Sequence, residues 1–554
     1  MDQTLPLTVL SLSVSAALAA WLAPKARRRL QLSRAKHRSL TGHSRMAKRL
    51  AAWIPGYRLE EAAFFGADGA DEDLQSQRRA ALDRLSTHFR TTVPQGAEMT
   101  AQAKMFLADL DFTGRYRVPF QFTDVIARAL QTSSFIARSH GVVLEDVDGN
   151  AYIDVSGSYG VNVLGYEVYK ACIEEAVTRA GEMGPVLGAY HPVVLENAKR
   201  LAGLSGLDQV SFHMSGTEAV MQAVRLARYH TGKRHLVRFC GAYHGWWEDV
   251  QPGPGNPLPP RETYTLQDMS ERSLEVLRSH RNIACVLINP LQALHPNSAA
   301  PGDSSLVDSG RRAQYDRAAY TRWLQQVRQV CSERGIVLIF DEVFLGFRLA
   351  PGGAQAYFGV KADMVTYGKT LGGGLPVGVV CGRADLMRRY RIERPVDICF
   401  ARGTFNSHPY VMAAMKAFLD RMETPQTLAL YEGLDERWDA RRARLNERLV
   451  KAGVPVRAAN MSTVWTFLYE RPSRFNWLYQ FYLRKHGLWL SWVGSGRMIF
   501  SLDFDDAAFD QVSDRIVAAA VEMEADGWWS GPNLENKAIK RRVLMEMWRG
   551  PKGV

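Results

Sequence analysis

The sequence predicts an α/β protein built on a mainly parallel sheet, and three observations carry that prediction. First, six short apolar runs lie between residues 209 and 382: "QVSFHM", "HLVRFC", "ACVLIN", "GIVLIFD", "DMVTY" and "VGVVCG". Strands this continuously apolar are buried on both faces, as in sheets covered by helices on each side. Second, helical stretches such as "TEAVMQAVRLARYH" (217–230) and "RAAYTRWLQQVRQVCSERG" (317–335) alternate with them. Third, Pro-, Gly- and Ser-rich segments at 253–262 and 294–310 read as loop insertions between those elements.

The flanking regions are of a different kind. Residues 5–24 carry no charge, and about 20 apolar residues suffice to cross a bilayer as a helix. Ten Lys and Arg and no acid follow between Lys25 and Arg49, which accounts for most of the net charge of +12. Positive charge on that side predicts an uncleaved membrane anchor with the remainder of the chain in the cytoplasm. The basic segment would then rest on anionic lipid headgroups. An excess so localised gives no reason to expect a nucleic-acid partner. Residues 71–89 read as an amphipathic helical spacer, and 142–155 as a hairpin turning at Asp148-Gly149-Asn150. Beyond residue 430 a helix-then-strand pattern opens a second α+β unit that closes near Trp528 and Trp529.

The expected organisation is therefore an anchor at 1–24 and a basic segment with helical spacer at 25–100. A small domain follows, built from 101–160 and 431–530 around a large domain at 161–430, and a basic tail occupies 531–554. The 554 residues, 46% hydrophobic, are enough for more than one core. Six scattered cysteines show neither metal-ligand spacing nor a disulfide framework, so no metal is expected.

In parallel sheets ligands sit at the carboxyl ends of strands, so the residues that follow each strand are informative. After the first run come Ser215, Gly216 and Thr217, opening a helix whose N-terminus suits an anion. After the second come Tyr243 and His244, an aromatic placed to stack on a planar ligand. Asp341 ends a buried apolar strand and needs a cationic or hydrogen-bonding partner there. Lys369 follows the next strand, in "GKTLGGGLPVG", where glycines keep the surrounding backbone bare. An anion cradle, an aromatic face, a buried carboxylate and a lysine on one sheet edge match the needs of pyridoxal phosphate.

Five motifs then occur in order: "FHMSGTEAVMQAVRLARYHTGK", "GAYHG", "LIFDEVFLGFR", "GKTLGGGLPVG" and "GTFNSHPYVMAA". Over roughly residues 115 to 530 the chain resembles a class III pyridoxal-phosphate aminotransferase, within the subgroup similar to glutamate-1-semialdehyde aminomutase. The resemblance implies an aspartate aminotransferase-type (fold type I) large domain and a homodimer with shared active sites. It makes Lys369 the Schiff-base lysine, Asp341 the partner of the pyridine nitrogen, and Val343 and Tyr243 the two faces packed on the ring, with His244 beside Tyr243. Ser215, Gly216 and Thr217 would hold the phosphate, and Thr404 would reach the phosphate of the neighbouring subunit.

Three departures bear on the substrate. Asn289 precedes Pro290 where the family usually has Glu; Tyr159 stands where the aminomutase subgroup has Trp; and the loop 491–501 lacks an acid, its one charge being Arg497. These departures favour ordinary transamination over an intramolecular aminomutase. With an anchor, the expected acceptor is a hydrophobic, long-chain or acyl-derived aldehyde or ketone, supplied with a separate amino donor. The alternatives are an aminomutase acting on an amino-aldehyde and a catalytically silent membrane-bound assembly partner, against which the intact Lys369 and Asp341 argue.

Overall fold

The computed structural model describes residues 5–36, 44–253, 255–258, 260–294, 315–490, 497–531 and 535–549. Its centre is a seven-stranded sheet made of β1 (Gln209–His213), β2 (His235–Phe239), β3 (Thr263–Leu266), β4 (Ile283–Ile288), β5 (Val337–Asp341), β6 (Met364–Gly368) and β7 (Gly378–Gly382). The spatial order is β1-β7-β6-β5-β4-β2-β3, parallel throughout except that β7 runs antiparallel to both β1 and β6. Strands β4 to β7 are buried at every position, as their unbroken apolar character predicts. The short connection of residues 369–377 makes β7 antiparallel, because a parallel return needs a crossover of a dozen or more residues. Strand β3 had no apolar run to announce it; it is a half-buried edge strand.

Two smaller sheets flank this one. The expected hairpin forms between Val143–Asp146 and Ala151–Asp154, and the parallel strand Leu488–Trp489 extends it. The other is antiparallel and joins Val456–Met461, Val464–Tyr469 and Arg497–Ile499. All six cysteines are buried and free.

At the N-terminus, α1 runs over Leu5–Ala35 and α2 over Glu72–Thr92. The expected membrane anchor at 5–24 is not shown. Among the described residues no helix is long and apolar enough to cross a membrane. Of the expected span, the side chains before Ala17 lie outside the described residues. The helix then continues through the first part of the basic run to Ala35 and packs on the large domain. It meets α4 (Glu271–Ser279) and β3, and the Ala35 carbonyl accepts the Gln267 N–H at 2.9 Å. The other large-domain helix needed below is α3 (Gly216–Thr231).

The spacer docks on the body. Phe64 is fully buried within 5.9 Å, ring to ring, of Phe65, Phe122, Phe475 and Trp528. Arg78 of α2 is buried and donates to the carbonyls of Gly527, Phe65 and Ser530 at 3.0, 3.2 and 2.7 Å. The C-terminal helix α5 (Asn536–Arg549) closes over this collar: Glu546 takes a bidentate pair from Arg474 at 2.7 and 2.9 Å and a hydrogen bond from Tyr57.

Candidate active site

At the end of β1, Ser215 caps α3. Its Oγ accepts the Glu218 N–H at 3.3 Å while Glu218 Oε2 accepts the Met214 N–H at 3.0 Å, a reciprocal capping box. The first N–H groups of the helix, at Gly216 and Thr217, have no intrahelical acceptor and face the positive end of the dipole. The backbone is bare there for a packing reason. A Cβ on Gly216 would lie 2.5 Å from Val343 Cγ1, and one on Gly368 would lie 3.2 Å from the same methyl. Val343 thus sits over both the helix start and the strand that leads to Lys369. Thr217 is fixed from the other side, since a Cβ on Gly245 would meet its Oγ1 at 2.5 Å. Gly245 also carries φ 104°, which a side chain would strain.

Asp341 closes β5 and is buried beside the imidazole of His244, whose Nδ1 lies 2.7 Å from Asp341 Oδ2. Oδ1 accepts from the Val343 N–H at 3.2 Å and Thr366 Oγ1 at 3.3 Å. His244 Nε2 is buried and has no hydrogen-bond partner among the described residues. Tyr243 stands next to this pair with its ring largely exposed; burial and then the Asp341 charge raise its pKa. The adjacent acid, Glu342, turns the other way and accepts the N–H groups of Ala354 and Gln355 at 2.6 and 3.1 Å. Burial raises its pKa to about 7.

Lys369 leaves β6 with φ 46°, so the lysine itself takes a left-handed turn, as Gly373 and Gly374 do after it at φ 60° and 96°. Strain of this kind costs on the order of 1 kcal/mol and persists where surrounding contacts impose it. Here Thr370 is held by Tyr169, oxygen to oxygen at 2.5 Å. Lys369 Nζ donates to the Tyr159 carbonyl at 2.5 Å. Its pKa is lowered to about 8, chiefly by burial and by the Arg348 charge, with Arg497 adding to the effect and Asp341 opposing it.

The expected substrate residues separate on inspection. Asn289 is buried and spends its side chain on backbone, donating to the Tyr243 carbonyl at 3.3 Å and accepting from Leu291 N–H at 3.1 Å. It positions the Tyr243 turn and does not face the cleft with a free amide. Tyr159 meets Lys369 through its carbonyl, in a turn where Ser158 and Tyr159 have φ 45° and 57°. Arg497 lies close enough to Lys369 to influence its charge. Most of the loop before it, 491–496, lies outside the described residues. Thr404 is exposed on its turn.

Two residues escaped the sequence reading. Arg348, the last letter of "LIFDEVFLGFR", is fully buried and donates to the carbonyls of Gly160, Asn162 and Phe500 and to Thr463 Oγ1. It ties the Tyr159 turn to the three-stranded sheet. An arginine inside a conspicuously apolar run was the available signal. Arg117 lies near Tyr159 and has its pKa lowered by burial. It belongs to a segment with no motif, so nothing in the sequence pointed to it.

The sequence model for "Aminotransferase class-III" matches residues 125–248 and 316–520, more than half of the chain. This chain belongs to the class-III aminotransferase family. It is 36% identical over 319 residues to a glutamate-1-semialdehyde 2,1-aminomutase of Alkaliphilus oremlandii, covering 54% of this chain and 69% of the relative. A second aminomutase so named, from Desulfotalea psychrophila, is 35% identical over 60% of this chain and 75% of its own length. The solved β-phenylalanine aminotransferase of Variovorax paradoxus superposes with a TM-score of 0.64 at 25% identity, over 80% of this chain and 97% of that one. The fold is thus the type I aminotransferase fold, and the cofactor is that of the class-III family, pyridoxal 5′-phosphate. Members of this family typically act as dimers. The residues present fit the cofactor: the bare helix start, the buried Asp341–His244 pair with its unpartnered Nε2, and a lysine of lowered pKa converge on one sheet edge.

Proposed function

We propose that this protein exchanges an amino group and a carbonyl group on an amino-aldehyde bearing an anionic substituent, with Lys369 as the residue that binds the cofactor covalently. The observation that carries this reading is Lys369 itself: its amine is partly freed of its proton near pH 8 and stands at the same sheet edge as Asp341. Bound there, pyridoxal phosphate supplies the carbonyl that accepts the amine and a ring that delocalises the electrons of the broken C–H bond. Ser215, Gly216 and Thr217 hold the phosphate by helix N–H groups, Val343 and Tyr243 flank the ring, and Asp341 holds the ring nitrogen protonated. His244 orients Asp341. Lys369 Nζ, once released, takes the proton from the substrate carbon and returns it, as a general base and acid of matched pKa does.

The aminomutase relatives favour rearrangement within one substrate. Arg497 and Arg117, set near Lys369 and Tyr159, support a carboxylated substrate more than a purely hydrophobic one. The hydrophobic acceptor rested on the membrane anchor, which no membrane span among the described residues supports. Transamination between two molecules is the second reading, supported by the likeness to the β-phenylalanine aminotransferase. We also place Thr404 at a dimer interface. Tyr390, Ile392, Val396, Ile398, Phe400 and Phe405 leave exposed apolar surface on the same stretch of chain.

The test begins with visible absorption before and after borohydride and with peptide mapping of the reduced cofactor. Attachment at Lys369, abolished in Lys369→Ala, is expected; attachment elsewhere overturns the site. Glutamate 1-semialdehyde is then supplied alone. Turnover without donor or acceptor supports the aminomutase reading, and turnover only with a separate donor sinks it in favour of transamination.

A further inference from the structure

The docking of α1 on the large domain leaves a cleft of about 780 Å³ far along the chain from the residues discussed above. One wall is α1, with Trp21, Leu22, Lys25, Arg28, Arg29 and Leu32; the other is Tyr264 at the sheet edge together with His280 and Arg281 after α4. Both walls mix apolar and cationic side chains. Trp21, Leu22, Leu32 and Tyr264 supply apolar surface, and Trp21 and Leu22 are left about half exposed. Four cations, Lys25, Arg28, Arg29 and Arg281, converge on the same space, and none is ion-paired with a carboxylate among the described residues. Lys25 instead lies over the Trp21 ring at 3.0 Å. The nearby acid, Glu262, is engaged with His235 at 3.2 Å. His280 lines the cleft with a buried Nε2 that has no hydrogen-bond partner among the described residues.

Four unpaired cations brought within one cleft repel one another, and an apolar wall beside them is costly to leave wet. An occupant with an anionic head and a hydrocarbon tail relieves both at once. We propose that this cleft is a binding site for one anionic phospholipid, with its phosphate among Arg28, Arg29 and Arg281 and its acyl chains along Trp21 and Leu22. The volume suits a headgroup and the first part of its chains. Because Arg281 and His280 belong to the body, the site is a built pocket and differs from the diffuse attraction of a basic helix for a membrane surface. Occupancy would also fasten α1 to the large domain.

The experiment uses the full chain with cofactor bound and three probes: dihexanoyl-phosphatidylglycerol below its micellar concentration, the phosphatidylcholine of the same chain length, and inorganic phosphate. Calorimetry and native mass spectrometry should show one phosphatidylglycerol per chain, with phosphatidylcholine at least tenfold weaker and phosphate weaker still. Arg281→Glu should lower phosphatidylglycerol affinity at least tenfold while visible absorption and melting temperature stay unchanged, and Arg281→Gln should lower it less. Equal affinity for both lipids, or unchanged binding in Arg281→Glu and Arg281→Gln, overturns the proposal. Phosphate binding as tight as that of the lipid also overturns it, leaving a simple anion site.

Discussion

The sheet edge that holds Lys369 and the collar of residues 57–92 solve opposite problems with the same kinds of side chain. At the sheet edge, polar groups are buried with a position left open: His244 Nε2 has no hydrogen-bond partner among the described residues, and Lys369 has a lowered pKa. In the collar, buried arginines are each held by several hydrogen bonds. Arg78 donates to three carbonyls, and Arg474 is clamped by Glu546. At the sheet edge a buried position is left open to a ligand; in the collar the hydrogen bonds fasten one segment of the chain to another.

Substitutions should separate the two regions. Lys369→Ala is expected to lower turnover by roughly 10³-fold or more, since it removes the proton-transferring group, with no loss of melting temperature. A marked fall in melting temperature would mean that Lys369 has a structural role as well. Phe64→Ala should do the reverse. It should destabilise by about 3–5 kcal/mol through loss of a fully enclosed ring, measurable by denaturant titration, while turnover per folded molecule is retained. Glu546→Gln leaves Arg474 buried with a weakened partner and should cost about 3 kcal/mol. A variant as stable as the parent would show that α5 is not holding the collar.

The smallest effect concerns pH. Lys369 has a folded pKa of about 8, below its ordinary value of 10.5, so between those values the unfolded chain binds more protons than the folded one. Stability of the cofactor-free protein should therefore rise as pH climbs through that window, and the rise should be smaller in Lys369→Met. Glu342 has the opposite sign. Its pKa is raised to about 7 from 4.5, so stability should fall as pH rises between those values, and less so in Glu342→Gln.

Sequence and structure agree best where local pattern decides. The apolar strands of the central sheet and the cluster of Ser215, Tyr243, Asp341 and Lys369 were legible because each residue directly follows a recognisable strand. The antiparallel direction of β7 depends on the length of one connection, and the half-buried β3 gives only a faint pattern. Arg348 and the collar were illegible for a different reason. Their partners lie far away in the chain: Gly160 and Asn162 for Arg348, Phe475 and Trp528 for Phe64. No local periodicity reports such pairings. The anchor expectation rests on residues 5–24, whose side chains before Ala17 lie outside the described residues; what composition did not show is that the basic continuation of the same helix packs on the large domain.

The meeting of Phe64 with Trp528 also sets an order of events during synthesis. More than four hundred residues must be added after Phe64 before its main partners exist. At about 5–20 residues per second this takes on the order of a minute. Through that interval Phe64 and Phe65 are without the indole that will cover them, while the central sheet can already assemble. The nascent chain therefore carries Phe64 and Phe65 uncovered by Trp528 until that residue has been added.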